Sequence, residues 1–345
     1  MTIQNLIRPS IKALKPYSSA RDEFKGNTDN LTFLDANENP YANGVNRYPD
    51  PQQGKLKALI SHIKKVPTES ILLGNGSDEV LDLLIRMFCE PNKDNILILP
   101  PTYGMYEVLA NVNAVETIKI NLSEETFQPK IDAILSEANA NSKILFLCSP
   151  NNPSGNSFET SSVEFLLKNF KGIVVMDEAY IDFSKGESWL SRLKEFPNLV
   201  VTQTLSKAFG MAGIRLGMCF ASEEIIATLN KIKPPYNINE LTQAKAMEGL
   251  SEMTLIKSQI ACLIEQRDVL VKALKEVDFI EKVYPSEANF VMVRVDDANK
   301  RYQQLIENGI VIRNRTTQPL CENCLRLTVG TEEENKKLIE KLKNL

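Results

Sequence analysis

Two stretches in the middle of the chain decide its fold: GIVVMDEAYIDF (172–183) and NLVVTQTLSKAFGMAGIRLGMCF (198–220). In the first, an apolar, β-branched run stops at Asp177. In the second, such a run leads into Leu205-Ser206-Lys207, and another begins at Ile214. Strands that read as unbroken apolar runs are those covered on both faces of a sheet. Working outward, similar runs recur at SILLG (70–74), NILIL (95–99), VETIKI (115–120) and KILFLC (143–148). Stretches with helical spacing lie between them: SDEVLDLLIRMF (77–88), YGMYEVLANV (103–112) and TSSVEFLLKNF (160–170). This alternation predicts an α/β fold, with a large domain built on a mostly parallel seven-stranded sheet covered by helices.

The alternation stops at Lys233-Pro234-Pro235. A long helix-like region follows over 238–276. After it come strand-like runs FVMVRV (290–295), GIVIR (309–313) and CLRLTVG (324–330), then an amphipathic helix from Glu332. The expected division is a large domain at 36–235 and a smaller α+β domain made of 1–35 and 236–345. The first 35 residues or so precede the large sheet and could pack on either part. A chain of 345 residues with 43% hydrophobic content is long enough for two such cores.

Composition removes several function classes. Lys and Arg total 40 against 44 Asp and Glu, a net charge of −4, so no basic surplus remains to track a nucleic acid. A single histidine, His62 in LKALISHIKK, excludes any site with two His ligands and reads as an ordinary residue of a helix face. Of the six cysteines, only Cys321 and Cys324 form C-x-x-C. That pair has no second pair for zinc and runs into a strand instead of opening a helix, so metal and redox roles are not expected. The cysteine usage fits a reducing compartment. No apolar run reaches the ~18 residues of a membrane span, and no apolar leader core is visible, so a cytoplasmic location is expected.

In open α/β sheets, ligands bind beyond the carboxyl ends of strands. The loops there are Gly74-Asn75-Gly76-Ser77-Asp78-Glu79, Ser149-Pro150-Asn151-Asn152-Pro153-Ser154-Gly155, Asp177-Glu178-Ala179-Tyr180, and Leu205-Ser206-Lys207 with Arg215 eight residues on. Each alone has a bland reading as a turn, a helix cap or a surface charge. Together they supply an amine for a Schiff base, an acid for a pyridinium nitrogen, and Arg, Ser and a helix N-terminus for a phosphate. That set describes a pyridoxal 5′-phosphate site, with no metal.

The strings SPNNPSG, MDEAYIDF and TLSKAFGMAGIRLG resemble the class I/II aminotransferases of fold type I. LDANENP (34–40), NRYPDP (46–51), GNGSDE (74–79), PPTYGMY (100–106), SEANFVMVR (286–294) and CLRLTVGT (324–331) resemble the histidinol-phosphate branch of that family. The resemblance spans essentially the whole chain. It implies Lys207 as the amine that bonds the cofactor, Asp177 at the pyridinium nitrogen, and Asn152 and Tyr180 at the ring oxygen. Tyr103 stacks on the ring, and Gly76, Ser77, Asp78, Ser206 and Arg215 hold the phosphate. Tyr48 reaches a neighbouring subunit's cofactor in a homodimer with shared sites. Arg326 binds the substrate's anionic end, with Arg313 and Tyr17 beside it and Tyr48, Tyr103 and Asn152 close by. Arg315 stands two residues from Arg313, so the choice between them depends on strand register. The implied substrates are L-histidinol phosphate and L-glutamate/2-oxoglutarate. Rivals on the same scaffold are an aromatic aminotransferase and a decarboxylase of phosphorylated amino acids. A cofactor-binding regulator would need a DNA-binding segment, and none is seen. The loop reads NPSG where the family often has NPTG, which keeps the hydroxyl.

Overall fold

The computed structural model describes residues 2–17 and 32–345. Seven strands form the first sheet: β1 Ile71–Asn75, β2 Asn95–Ile98, β3 Glu116–Lys119, β4 Ser142–Cys148, β5 Ile173–Asp177, β6 Leu199–Thr204 and β7 Leu216–Phe220. All seven runs anticipated from the sequence are strands. Their order is β1-β7-β6-β5-β4-β2-β3; β7 is antiparallel to both neighbours and the other pairs are parallel.

Every residue of β5, β6 and β7 is buried. Their side chains alternate between two apolar layers, one on each face. On β5, Val174 and Met176 enter the layer that contains Leu166 of α6, while Ile173 and Val175 enter the layer that contains Leu84 of α3. The helices of the large part are α1 Pro9–Ala13, α2 Gly54–Lys64, α3 Gly76–Phe88, α4 Met105–Val112, α5 Ile131–Glu137, α6 Thr160–Asn169 and α7 Glu223–Ile232.

After α7 the chain forms α8 Glu240–Ser251 and α9 Met253–Leu274, so the expected long helix is two helices that meet at Glu252. A second sheet follows, ordered β10-β11-β9-β8, with β8 Ile280–Val283, β9 Phe290–Val295, β10 Arg313–Asn314 and β11 Cys324–Thr328. Helices α10 Ala298–Glu307 and α11 Glu332–Lys343 pack on it through Leu305, Leu338 and Leu342. Thr331 and Glu334 form a reciprocal capping box that starts α11 where the sequence placed it.

Three details differ from expectation. GIVIR pairs only from Arg313, because Gly309 (φ 76°) terminates α10 and Ile312 is buried before the ladder begins. Strand β8 was not anticipated; it is a half-exposed edge without an apolar run. The N-terminal segment was grouped with the smaller domain, but Ile3, Leu6 and Ile7 lie in the large sheet's core with Leu84 and Ile225. Arg8 Nε also meets Glu90 at 3.3 Å. The rest of that segment, residues 18–31, lies outside the described residues.

Candidate active site

The carboxyl ends of β2, β4, β5 and β6 open on one edge of the sheet. Because β7 runs antiparallel to β1 and β6, its first residues meet their last ones, with Leu216 opposite Asn75 and Gly217 opposite Thr204. This crossing brings Arg215 to the turn that starts α3. Gly217 sits directly under that turn, and a Cβ there would overlap the backbone of Gly76 and Ser77. Gly76 has φ 72°, and a Cβ on it would lie 2.5 Å from Arg215 Nη2. Its N–H donates to the Arg215 carbonyl at 2.7 Å.

These strand ends surround a cavity of about 510 Å³, counting the space open at its mouth. It is lined by Ser77, Asp78, Tyr103, Cys148, Asn152, Asp177, Ala179, Tyr180, Thr204, Ser206, Lys207 and Arg215. The lining, with aromatic walls and a few converging polar groups, is that of a small-ligand site. Ser77, Asp78, Tyr103, Asn152, Asp177, Tyr180, Ser206, Lys207 and Arg215 of the sequence-derived residues therefore meet in one place, with Gly76 against Arg215.

Lys207 is exposed as a residue, but it borders the cavity, with Nζ 5.9 Å from the Tyr180 ring centre. Its amine is pushed below the ordinary lysine value, first by burial and then by the like charges of Arg326 and Arg215. Asp177 and Asp78 pull the other way. Asp177 is 3% exposed. Its Oδ2 accepts from the Tyr106 hydroxyl at 2.6 Å and its Oδ1 from the Ala179 N–H at 3.1 Å. Burial holds the carboxyl above its usual range, and these two donors oppose the rise.

On the phosphate side, α3 begins without a side-chain cap, Arg215 Nη1 donates to Ser206 Oγ at 3.5 Å, and Arg215 Nη2 lies 3.7 Å from Asp78. The Tyr103 hydroxyl donates to Asp78 Oδ1 at 3.0 Å. Burial, with Asp78 second, raises its pKa. Asn152 accepts from Arg326 Nη1, which links the two sheets across the site. Arg326 also lies over Phe290 at 5.0 Å, and its guanidinium is pushed down to about 10 by burial, then by Arg315 and Arg313.

The arrangement fits pyridoxal phosphate. A buried carboxylate awaits a cationic N–H, an amine of lowered pKa stands opposite, and an uncapped helix start lies beside a guanidinium.

Other expected residues lie apart from the cavity. Tyr48 is 52% exposed and stacks on Tyr236, with ring centres 4.5 Å apart. It borders a separate surface groove with Glu38 and Leu241. Tyr17 is 73% exposed and does not line the cavity. Arg313 is exposed and faces Arg326 across the β10–β11 pair.

Sequence reading missed Tyr106, whose place in PPTYGMY, one helical turn after Tyr103, was its only signal. It also missed the tie from Asn237, just past the two prolines, to Glu79 Oε2 at 3.0 Å. His62 is exposed on α2 as expected. Among the described residues no acidic, His or Cys cluster could hold a metal, and no helix is long and apolar enough to cross a membrane. Cys321 and Cys324 are buried free thiols, and the second begins β11.

An α/β scaffold of two sheets with a lysine, a buried aspartate and an arginine-flanked helix start at adjoining strand ends fits a transaminase-type site, and the chain belongs to the family described as aminotransferase class I and II, which it matches over residues 27–342. It is 65% identical to a histidinol-phosphate aminotransferase of Flavobacterium johnsoniae over 344 residues, covering 99% of this chain and 98% of that protein. It is 60% identical to one of Flavobacterium psychrophilum, covering 99% of each. The crystal structure of a histidinol-phosphate aminotransferase from Clostridium acetobutylicum superposes with a TM-score of 0.80 at 27% identity, covering 87% of this chain and 90% of that one.

Proposed function

We propose that the protein catalyses the histidinol-phosphate aminotransferase reaction. L-Glutamate and imidazole-acetol phosphate become 2-oxoglutarate and L-histidinol phosphate, by alternating half-reactions on pyridoxal 5′-phosphate, in histidine biosynthesis. The observation that carries this reading is the meeting of Lys207, Asp177 and Arg215 around one cavity that the α3 start also borders, with Arg326 bonded to the lining residue Asn152, in a member of this family.

When bound, the cofactor supplies an electron sink for the carbanion at the substrate Cα. The chain supplies the rest. Asp177 keeps a proton on the ring nitrogen by pairing with it as a carboxylate. Asn152 and Tyr180 hydrogen-bond the ring oxygen, and Tyr103 lies against the ring face. Gly76, Ser77 and Asp78 at the α3 start, with Ser206 and Arg215, bind the phosphate. Lys207 Nζ, of lowered proton affinity, would take the proton from the substrate Cα and deliver it to the cofactor carbon on the far side of the substrate nitrogen. Arg326, with Arg313 and Tyr17, holds the substrate's anionic end, a carboxylate in one half-reaction and a phosphate in the other.

Tyr48 completes the site of a second copy in a homodimer. Its position outside this chain's own cavity supports that reading, as does the exposed Leu241 (68%) beside it in the surface groove. The division of the chain near Pro234-Pro235 and a cytoplasmic location belong to the same reading.

The half-reactions provide the test. L-Histidinol phosphate is expected to convert the enzyme's absorbance from the pyridoxal to the pyridoxamine form, and 2-oxoglutarate to restore it. Release of CO2 with no pyridoxamine form would instead identify a decarboxylase. Conversion by aromatic amino acids but not by L-histidinol phosphate would identify an aromatic aminotransferase.

A further inference from the structure

Asn75 stands at the cap position of α3. Asparagine is among the best helix caps, because its side-chain oxygen accepts from the second or third N–H of the helix. Here it does not: α3 begins without a side-chain cap. Instead, Asn75 Nδ2 donates to the Asn237 carbonyl at 2.6 Å and to Glu79 Oε2 at 3.2 Å, which holds the carboxamide off the helix start.

Asn237 is itself pinned. Its Nδ2 donates to the Leu73 carbonyl of β1 and to Glu79 Oε2, both at 3.0 Å, and its Oδ1 accepts from Lys233 Nζ at 3.1 Å. Lys233 is buried and also donates to the Pro51 carbonyl at 3.1 Å. Glu79 Oε2 accepts the Asn75 backbone N–H at 2.5 Å as well. One carboxylate oxygen therefore collects two donors from Asn75 and one from Asn237.

The N–H groups that an Asn75 cap would take are those of Ser77 and Asp78, and both residues line the cavity beside Arg215. A cap and a bound phosphate compete for the same donors. We propose that Asn237 is a positioning residue for the cofactor phosphate. Its side chain fixes its own carbonyl and Glu79 where they hold Asn75 aside, so the first N–H groups of α3 stay open to the anion. Asn237 follows directly on the Pro234-Pro235 break, so the chain's passage toward the second sheet sets the state of the phosphate turn. This deepens, and rests on, the phosphate placement proposed above.

Apoproteins of wild type, Asn237→Ala, Asn75→Ala and the double variant are titrated by absorbance with pyridoxal 5′-phosphate and, separately, with pyridoxal, which lacks the phosphate. In Asn237→Ala the released carboxamide caps α3, so the Kd for pyridoxal phosphate is expected to rise about fivefold or more while that for pyridoxal moves less than about twofold. Asn75→Ala alone leaves both ligands within about twofold of wild type, because its carboxamide already stands aside. In the double variant nothing is left to cap the helix, and pyridoxal phosphate affinity returns to within about twofold of wild type. A purely structural role for Asn237 would weaken both ligands and show no such recovery. Equal losses for the two ligands, no loss in Asn237→Ala, or no recovery in the double variant would overturn the proposal. If Asn237→Ala does not fold, Asn237→Asp is read in the same way, alone and with Asn75→Ala; it keeps the shape but turns an acceptor on Glu79. No substrate enters the titration, so a failed proposal leaves the proposed reaction standing, and a failed half-reaction leaves the titration readable. A wild type that binds pyridoxal as tightly as pyridoxal phosphate would refute the phosphate placement, and the proposal with it.

Discussion

Tyr106→Phe isolates a single hydroxyl. The ring is fully buried and stacks on Phe146, with centres 4.7 Å apart and planes 7° from parallel, so phenylalanine keeps the packing and removes only the donor to Asp177. A hydrogen bond to a charged group contributes about 1.5–3 kcal/mol. At about 1.36 kcal/mol per unit, its loss raises the Asp177 carboxyl by roughly 1–2 pKa units. Burial already holds this carboxyl up, and Tyr106 is the foremost group opposing that rise. A carboxyl raised on folding contributes stability that is fully present below its unfolded value and lost as pH rises through its folded value. The variant moves the upper end of that window higher. In the proposed reading Asp177 pairs with the cofactor's ring nitrogen only as a carboxylate, so the acid limb of cofactor binding would follow its titration. Titrating the apoprotein with pyridoxal phosphate across pH, by absorbance, should show that limb displaced upward by about 1–2 units, with affinity on the alkaline plateau within about threefold of wild type. An unmoved limb in a variant with wild-type circular dichroism would refute the link between Tyr106 and the site.

Two further substitutions test other parts of the site. Gly76→Ala puts a side chain at φ 72° and pushes the Arg215 guanidinium aside, so pyridoxal phosphate affinity should fall by about tenfold or more in equilibrium titration while the fold persists. Arg326→Ala removes the partner of Asn152 and, in the proposed reading, the anion clamp. KM for both substrates should rise by about 10- to 100-fold, and steady-state kinetics with unchanged KM values would exclude that role.

Much of this site is written locally in the sequence. Asp177 and Lys207 were legible because they end or directly follow continuous apolar strands, and parallel strand ends converge whatever the helices between them do. Gly76 and Arg215 were legible as types, but the crossing of β7 under the α3 turn, which joins them, is long-range. Tyr106 was hidden because a tyrosine in the first turn of an amphipathic helix reads as core, and it is core, with one hydroxyl aimed at a carboxylate. The choice between Arg313 and Arg315 depended on register. Register is set by pairing with β11, and it placed both on the face of Arg326. β8 escaped notice because its half-exposed edge carries no apolar run, and Ile3, Leu6 and Ile7 because nothing local tells such a segment which core it will enter.

The site's central claim is that Lys207 is the amine that carries the cofactor. Holoenzyme is treated with borohydride, digested and peptide-mapped. The account predicts one pyridoxyl-labelled peptide per chain, bearing the label on Lys207 and absent from Lys207→Ala. A label on another lysine, or none in protein that retains bound cofactor, would contradict it.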